Sequence, residues 1–469
     1  MTHALLHQVI DAIQRREERN ATGPVFPRVT VEELRAALGG PLNEDGLDAV
    51  EVVRHLAEAA DRGIVASAGP RYFGFVIGGS LPVTTAADWL TSIWDQNSGL
   101  YATSPAASVT EEIAAGWLVE LLGLPASASV GFVTGGGTAN FTGLAAARHA
   151  VLRKAGWDVE EAGLIGAPRI NIVISDEAHA TILAALRMVG LGTRAHRVPT
   201  DAQGRMVASD FEAVLAKCQG PAIVCAQAGN VNTGSFDPLA EIGEAVRARD
   251  KSHPTWLHVD GAFGLWAAVS ERLRHLVRGV ELADSWAIDG HKWLNVPYDS
   301  GFLICAHPEA HQAAMGITAA YLIHSEKQER DNFNWTPEFS RRARGFTVYA
   351  ALRHLGRSGV RDLVERCCAR ARQFAKLLDG QPGVRVLNDV VLNQVLIRFH
   401  GSDEATRSAI EHVQRDGACW LSGTTWHKMA AMRISVSNWS TSEKDVEMSA
   451  AAILRAAAAV APAGSAARG

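Results

Sequence analysis

Cysteine is scarce: the 469 residues hold six, at positions 218, 225, 305, 367, 368 and 419. Their spacing fits neither a disulfide framework nor the paired ligands of a metal site, which excludes a thiol-stapled secreted scaffold and a zinc module. Long hydrophobic runs are missing too. No stretch reaches the roughly 18 uninterrupted apolar residues of a membrane span. Nor does one charge dominate: 45 Lys and Arg face 50 Asp and Glu, a formal charge of −5. A protein built around nucleic acid would carry a basic stripe, so neither nucleic acid nor membrane is an expected partner. Residues 1–20, rich in Arg and Glu, lack the apolar core and cleavage site of a signal peptide, and a cytoplasmic protein with reduced thiols is the expectation. What the chain does have is 47% hydrophobic residues against 20% charged, enough to bury a large core.

Apolar positions recur at helical spacing over 5–13 and 47–60, broken by Pro24, Pro27 and the Gly39-Gly40-Pro41 turn. From about Ser129, short apolar runs alternate with helical segments; the runs are 130–133, 170–174, 222–226, 256–259, 285–288 and 302–305. Such alternation predicts an α/β fold with a mostly parallel sheet covered on both faces. A second α/β pattern follows Gly356, with strands expected near 384–387, 395–399 and 432–436 and a frayed tail from Ala456. The expected division is a helical segment over 1–78, a large α/β domain over 79–355 and a small α/β domain over 356–469.

In an open parallel sheet, ligands sit beyond the carboxyl ends of the strands. The residues following each run are therefore the candidates. They are Gly135-Gly136-Gly137-Thr138 opening a helix, Asp176 to His179, Gly229-Asn230, Asp260-Gly261-Ala262, and Asp289-Gly290-His291-Lys292-Trp293. Singly, each has a plain structural explanation: a tight turn, a helix cap, a solvated lysine. Together they bring an anion-binding turn, an imidazole, an amide, a carboxylate and an amine to one edge. Trp286, Ile288, Trp293 and Leu294 surround the lysine in sequence, an apolar setting that would lower its pKa and favour imine chemistry. A nicotinamide site is the rival reading of the glycine turn. The turn lacks the third small residue of that fingerprint, and no acidic residue stands about 20 positions on.

The segments His258-Val259-Asp260-Gly261-Ala262, Asp284-Ser285 and His291-Lys292-Trp293 resemble the group II pyridoxal-phosphate-dependent decarboxylases, among them aromatic-L-amino-acid, tyrosine, histidine and glutamate decarboxylases. Ser104-Pro105-Ala106 with Glu111-Glu112, Ala178-His179, Ser235-Phe236-Asp237-Pro238, Ser340-Arg341-Arg342 and Arg433-Ile434-Ser435 extend the resemblance in order. It implies a type I (aspartate-aminotransferase-like) fold and pyridoxal 5'-phosphate held covalently by Lys292. Asp260 would keep the pyridine nitrogen protonated, so that the ring accepts the electron pair left by carbon dioxide. His179 would stack on the ring. Gly136, Gly137 and Thr138 would receive the phosphate at a helix N-terminus, Asn230 would reach the phenolic oxygen, and Ala262, Asp289 and His291 would complete the shell. Three positions depart from many relatives: Thr138 runs directly into Ala139-Asn140, Asn230 stands in a usual Gly-Thr-Thr, and Asp289 replaces the Asn of animal aromatic decarboxylases.

The resemblance also places a proton-donating Tyr321 on a mobile loop, with the polar stretch 326–334 as a flexible lid. In aldehyde-forming relatives that Tyr is Phe, so simple decarboxylation is expected. Phe75 and Val76, with Leu100 and Tyr101 from the partner subunit, would line an apolar side-chain pocket, with Ser340 tuning substrate choice. An aromatic or large apolar amino acid suits that lining; Arg71 keeps open a second substrate carboxylate. A homodimer with shared active sites and an interlocking N-terminal arm is expected. An aldehyde synthase, a carbon–carbon lyase or a catalytically silent binding homologue are the alternatives, the last opposed by intact Lys292 and Asp260.

Overall fold

All six apolar runs between 130 and 305 form strands in the computed structural model, which describes residues 3–42, 44–249, 251–317 and 329–462. They are β1 (Ser129–Val133), β2 (Asn171–Ser175), β4 (Ala222–Gln227), β5 (Thr255–Asp260), β6 (Ser285–Asp289) and β7 (Gly301–Cys305). A seventh, β3 (His196–Val198), completes a sheet of order β1-β7-β6-β5-β4-β2-β3. The sheet is mostly parallel, as expected. Only β7 runs against its neighbours, between β1 and β6. The strand β3 escapes the sequence reading because His196 and Arg197 are exposed at the sheet edge and leave no apolar run.

Three helices, α1 (His3–Thr22), α2 (Val31–Leu38) and α3 (Ala49–Asp61), occupy the N-terminal segment. After them come α4 (Pro82–Trp94), α5 (Pro105–Leu122), α6 (Gly136–Lys154), α7 (Val159–Ala162) and α8 (Ala180–Met188). Pro105 at the first turn of α5, Ser104 capping it and Gly123 in the left-handed region after it mark both ends locally. The helix α6 lies across β5, β6 and β7. Its buried sides are small, with Ala139 packed against Val133, Ala287 and Leu303 of the sheet and Ala145, Ala146 and Ala147 buried as well. A Cβ on Gly143 would stand 2.7 Å from His258 Cε1.

Contacts gather the chain into two compact units, Met1–Ile77 with Arg370–Leu387 and Val395–Gly469, and Gly78–Ala369 with Asn388–Gln394. The first unit unites both ends of the chain, which the division by sequence keeps apart. Its second sheet, of order β10-β11-β9-β8, contains β8 (Val384–Val386), β9 (Gln394–Phe399), β10 (Ser422–Trp426) and β11 (Met429–Ser435). The segment before Ile77 is sewn to it: Phe73 N–H donates to Trp420 O, Trp420 N–H to Arg71 O and Ser435 N–H to Phe73 O. Buried Arg71 donates to the carbonyls of Ala418 (2.6 Å) and Gly23 (2.9 Å), so its guanidinium clamps main chain instead of waiting for a substrate carboxylate. No helix among the described residues is long and apolar enough to cross a membrane.

Candidate active site

The chemistry lies in the second unit, where β1, β2, β4, β5 and β6 point their carboxyl ends to one edge. Gly301, first in antiparallel β7, reaches the same edge, in register with Val133 on one side and Asp289 on the other. A Cβ on Gly301 would lie 2.5 Å from Gly135 Cα, so the chain meets bare main chain there. A pocket opens at this edge. Gly136, Gly137, His179, Asp260, Ala262, Asp289 and Lys292 line it, seven of the residues singled out by sequence. Asn140, Thr181, Gln227, Gly229, Val231 and Phe263 line it as well, without having been assigned a role.

Lys292 sits just past β6, and its Nζ lies 2.9 Å from Asp289 Oδ2. The sequence suggested an apolar setting. Strand alternation sends Trp286 and Ile288 into the core, and the amine meets a carboxylate instead of indole and aliphatic carbon. Asp289 also accepts the Gly136 N–H of α6 and lies 3.3 Å from His291 Nε2. Ser300 N–H donates to His291 Nδ1 at 3.1 Å, which puts the imidazole proton on Nε2, facing Asp289. Burial holds the His291 pKa below its usual value, so the ring is neutral. On the far side of Lys292, a Cβ at Gly78 would overlap the Lys292 carbonyl oxygen, 1.6 Å away.

Asp260 ends β5 and is 5% exposed. It is held by neutral donors: Asn140 Nδ2 at 3.2 Å and the Ala262 N–H at 3.2 Å. His179 caps α8, its Nδ1 accepting the Thr181 N–H at 3.3 Å. Other expected members stand back from the pocket. Thr138 pairs its hydroxyl with Thr134 at 2.7 Å. Asn230 is buried with its Oδ1 engaged by the N–H groups of Asn232 and Thr233, an Asx-type turn.

The expected substrate-pocket residues do not line this pocket. Phe75, exposed, and Val76, buried, belong to the first unit, both at positive φ, with Phe75 tilted against Trp420. Leu100 and Tyr101 are half-buried beside residues 331–333, and Ser340 is exposed with Asn97 on its hydroxyl. Tyr321 lies outside the described residues. The described part of the expected lid, from 329 on, is hydrogen-bonded to neighbouring main chain. Arg330 donates to Val130 O, Asp331 accepts the Tyr101 N–H at 2.9 Å, and Asn332 donates to Ser98 O at 3.1 Å. Glu111 and Arg341 form a buried bidentate ion pair at 2.7 and 2.8 Å.

This donor set fits pyridoxal phosphate. Lys292 supplies an amine for its aldehyde, and Asp260 supplies a buried carboxylate with no cation among its hydrogen-bond partners in the described residues. The first turn of α6 has no side-chain cap from its own N-cap residue, and a carboxylate, Asp289, already sits on its Gly136 N–H, which marks the turn as an anion site. Comparison with known proteins agrees. Residues 34–400 match the pyridoxal-dependent decarboxylase conserved domain. The chain is similar to an aromatic-L-amino-acid decarboxylase of Bacillus atrophaeus, 28% identical over 87% of this chain and 84% of the relative. It is also similar to a 4-hydroxyphenylacetaldehyde synthase of Rhodiola rosea, 25% identical over 94% and 91%. The crystal structure of Oryza sativa TDC with PLP and tryptamine superposes with a TM-score of 0.89, covering 97% of each chain at 23% identity. A lysine and a carboxylate at the ends of neighbouring strands, inside a match spanning most of the sequence, place the chain in the pyridoxal-dependent decarboxylase family, as a carboxy-lyase that works with pyridoxal phosphate.

Proposed function

We propose that the protein converts an aromatic or large apolar L-amino acid to its amine and carbon dioxide. The observation that carries this reading is the meeting of Lys292 and Asp260 in one pocket. Pyridoxal phosphate, when bound, supplies an electron-poor ring that takes up the electron pair of the breaking Cα–carboxylate bond. The residues do the rest. Lys292 offers the amine that holds the cofactor and yields it to the substrate. Asp260 keeps a proton on the ring nitrogen, His179 covers the ring, and the amides of Gly136 and Gly137 hold the phosphate. Tyr321 is proposed to deliver the proton to Cα. The substrate class is supported by Val231 and Phe263 in the pocket wall and by the absence of arginine among the described residues lining it. A substrate with a second carboxylate would find no guanidinium there.

The proposal includes a homodimer in the cytoplasm, with Leu100 and Tyr101 of each protomer serving the other's pocket. The helices α1 and α2 have no buried residue and α3 only Ala59, leaving Ile10, Val52 and Leu56 exposed, as suits an arm. Trp89, Leu90, Ile93 and Trp94 of α4 are exposed as well, an apolar group of the kind that marks interaction surfaces. All six cysteines are buried and in no disulfide, in keeping with a reducing compartment.

The test is a screen of L-amino acids for carbon dioxide release by the cofactor-loaded protein. Aromatic substrates should lead, and Lys292→Ala should release none and lose the borohydride-reducible cofactor link. Mapping that link to another lysine refutes the site. The Rhodiola relative motivates the second reading, an aldehyde synthase. Amine as the product of the natural chain, with Tyr321→Phe diverting turnover to aldehyde and oxygen uptake, separates the two. Stoichiometric oxygen consumption without amine by the natural chain selects the synthase.

A further inference from the structure

Behind Asp260 runs a buried chain of side chains whose proton directions are fixed. An indole N–H only donates, so Ser285 Oγ accepts from Trp256 Nε1 at 2.8 Å. At the other end a carboxylate only accepts, so the Asn140 NH₂ faces Asp260 Oδ2 at 3.2 Å and its Oδ1 takes the His258 Nε2 proton at 2.9 Å. Nδ1 is then bare and accepts the Ser285 hydroxyl, also at 2.8 Å. The Asn140 NH₂ also reaches Thr181 Oγ1 at 3.2 Å. Thr181 in turn donates its hydroxyl proton to His179 Nδ1 at 2.8 Å. That leaves the His179 proton on Nε2. Trp256, Ser285, His258 and Asn140 are each at most 2% exposed, and burial presses the His258 pKa down to about 4, so its ring stays neutral. A charged imidazole could not accept from Ser285, and the order would collapse.

We propose that Asn140 is the positioning residue of the site, its amide held by the Trp256–Ser285–His258 chain so that it fixes the Asp260 carboxylate and the His179 tautomer together. The proposal rests on the cofactor reading given above. One side chain then sets the two groups assigned to the ring nitrogen and the ring face. Neither group needs to be ordered by the substrate. The amide donates to Asp260 without cancelling its charge, which a lysine or arginine in the same place would do. Asn140 thereby keeps the carboxylate in place and still available to a protonated pyridine.

The experiment loads the protein with pyridoxal phosphate labelled with ¹⁵N in the ring and reads ring-nitrogen protonation by NMR, beside kcat and KM. In the natural chain the nitrogen is protonated. In Asn140→Leu, which keeps the volume and removes the hydrogen bonds, the signal should move toward the unprotonated form. The kcat should fall about ten- to a hundredfold, the loss seen when residues that orient metal-bound imidazoles are removed, with KM little changed. Ser285→Ala, remote from the pocket, should give the same pattern in weaker form, and His258→Gln, which can still donate to Asn140, should retain most of the signal. If Asn140→Leu does not fold or load, Ser285→Ala decides alone. A natural ring-nitrogen signal and kcat in the deciding variant overturn the proposal. If Asp260→Asn also leaves the signal unmoved, the cofactor reading has failed, and not the role of Asn140.

Discussion

The strands β5 and β6 lie side by side, and each ends in a buried aspartate facing the same pocket, yet the two carboxylates are held in opposite ways. Asp260 receives hydrogen bonds from an amide side chain and a backbone N–H, both neutral. Asp289 is paired with the Lys292 ammonium and takes in addition the Gly136 N–H and the His291 proton. One is therefore a negative charge still waiting for a cation. The other is already neutralised, and it occupies an amide at a helix N-terminus that is suited to an outside anion. The identical residue type is held by neutral donors at one end of the pocket and by an ammonium at the other.

The sharpest way to break this comparison is to remove each charge in turn. Asp260→Asn keeps an acceptor for the Ala262 N–H but loses the anion. Turnover should fall about 10²–10³-fold, as for other preorganised electrostatic contacts, measured as kcat at saturating cofactor. Asp289→Asn should act in the other direction and on a different quantity. It removes a like charge from beside the phosphate and frees Lys292 from its ion pair. The affinity of the cofactor-free protein for pyridoxal phosphate should therefore rise about tenfold, ~1.4 kcal/mol, a conservative share of the repulsion between close charges. Fluorescence titration reads it. A weaker affinity makes Asp289 a cofactor ligand, and the contrast with Asp260 disappears.

A smaller effect sharpens the comparison through the neutral imidazole beside each carboxylate. Burial lowers the pKa of His258 to about 4 and also lowers that of His291, against 6.5 for the free group. A folded-state pKa below the unfolded one means the unfolded chain binds more protons on acidification. The stability involved is present above about pH 6.5 and is lost as pH falls toward about 4, at roughly 1.4 kcal/mol per pH unit for a fully shifted group. Urea midpoints followed from pH 7 to pH 4 should fall less steeply in His258→Gln. An unchanged slope means His258 is not the neutral link drawn here.

Much of this was legible in the chain itself. Strand ends were readable because a fully buried strand writes a continuous apolar run, and the residue after it is where ligands gather. That is how Lys292, Asp260, His179 and the glycine turn came together. The strands β3 and β10 were not readable: His196-Arg197 is exposed, and Ser422-Gly423-Thr424-Thr425 has no apolar run. The chain behind Asp260 was hidden for another reason. Trp256, His258 and Ser285 point between layers and meet Asn140 over more than 100 residues of sequence, so no local spacing encodes the contact. Thr138 and Asn230 show the converse. A neighbouring threonine shares the Thr138 hydroxyl, and a turn takes the Asn230 Oδ1 while its buried Nδ2 has no partner among the described residues.

The glycines at the pocket edge carry a consequence for anyone who wants to redirect this protein to new substrates. Gly301 touches Gly135, and Gly78 touches the carbonyl of Lys292, with no room at either place for even a methyl group. Libraries that sample those positions will consist largely of dead clones, whatever substrate is offered. Variation belongs at Val231 and Phe263, which line the pocket with side chains and not backbone. The cradle is a fixed chassis, and selectivity is the part that can be exchanged.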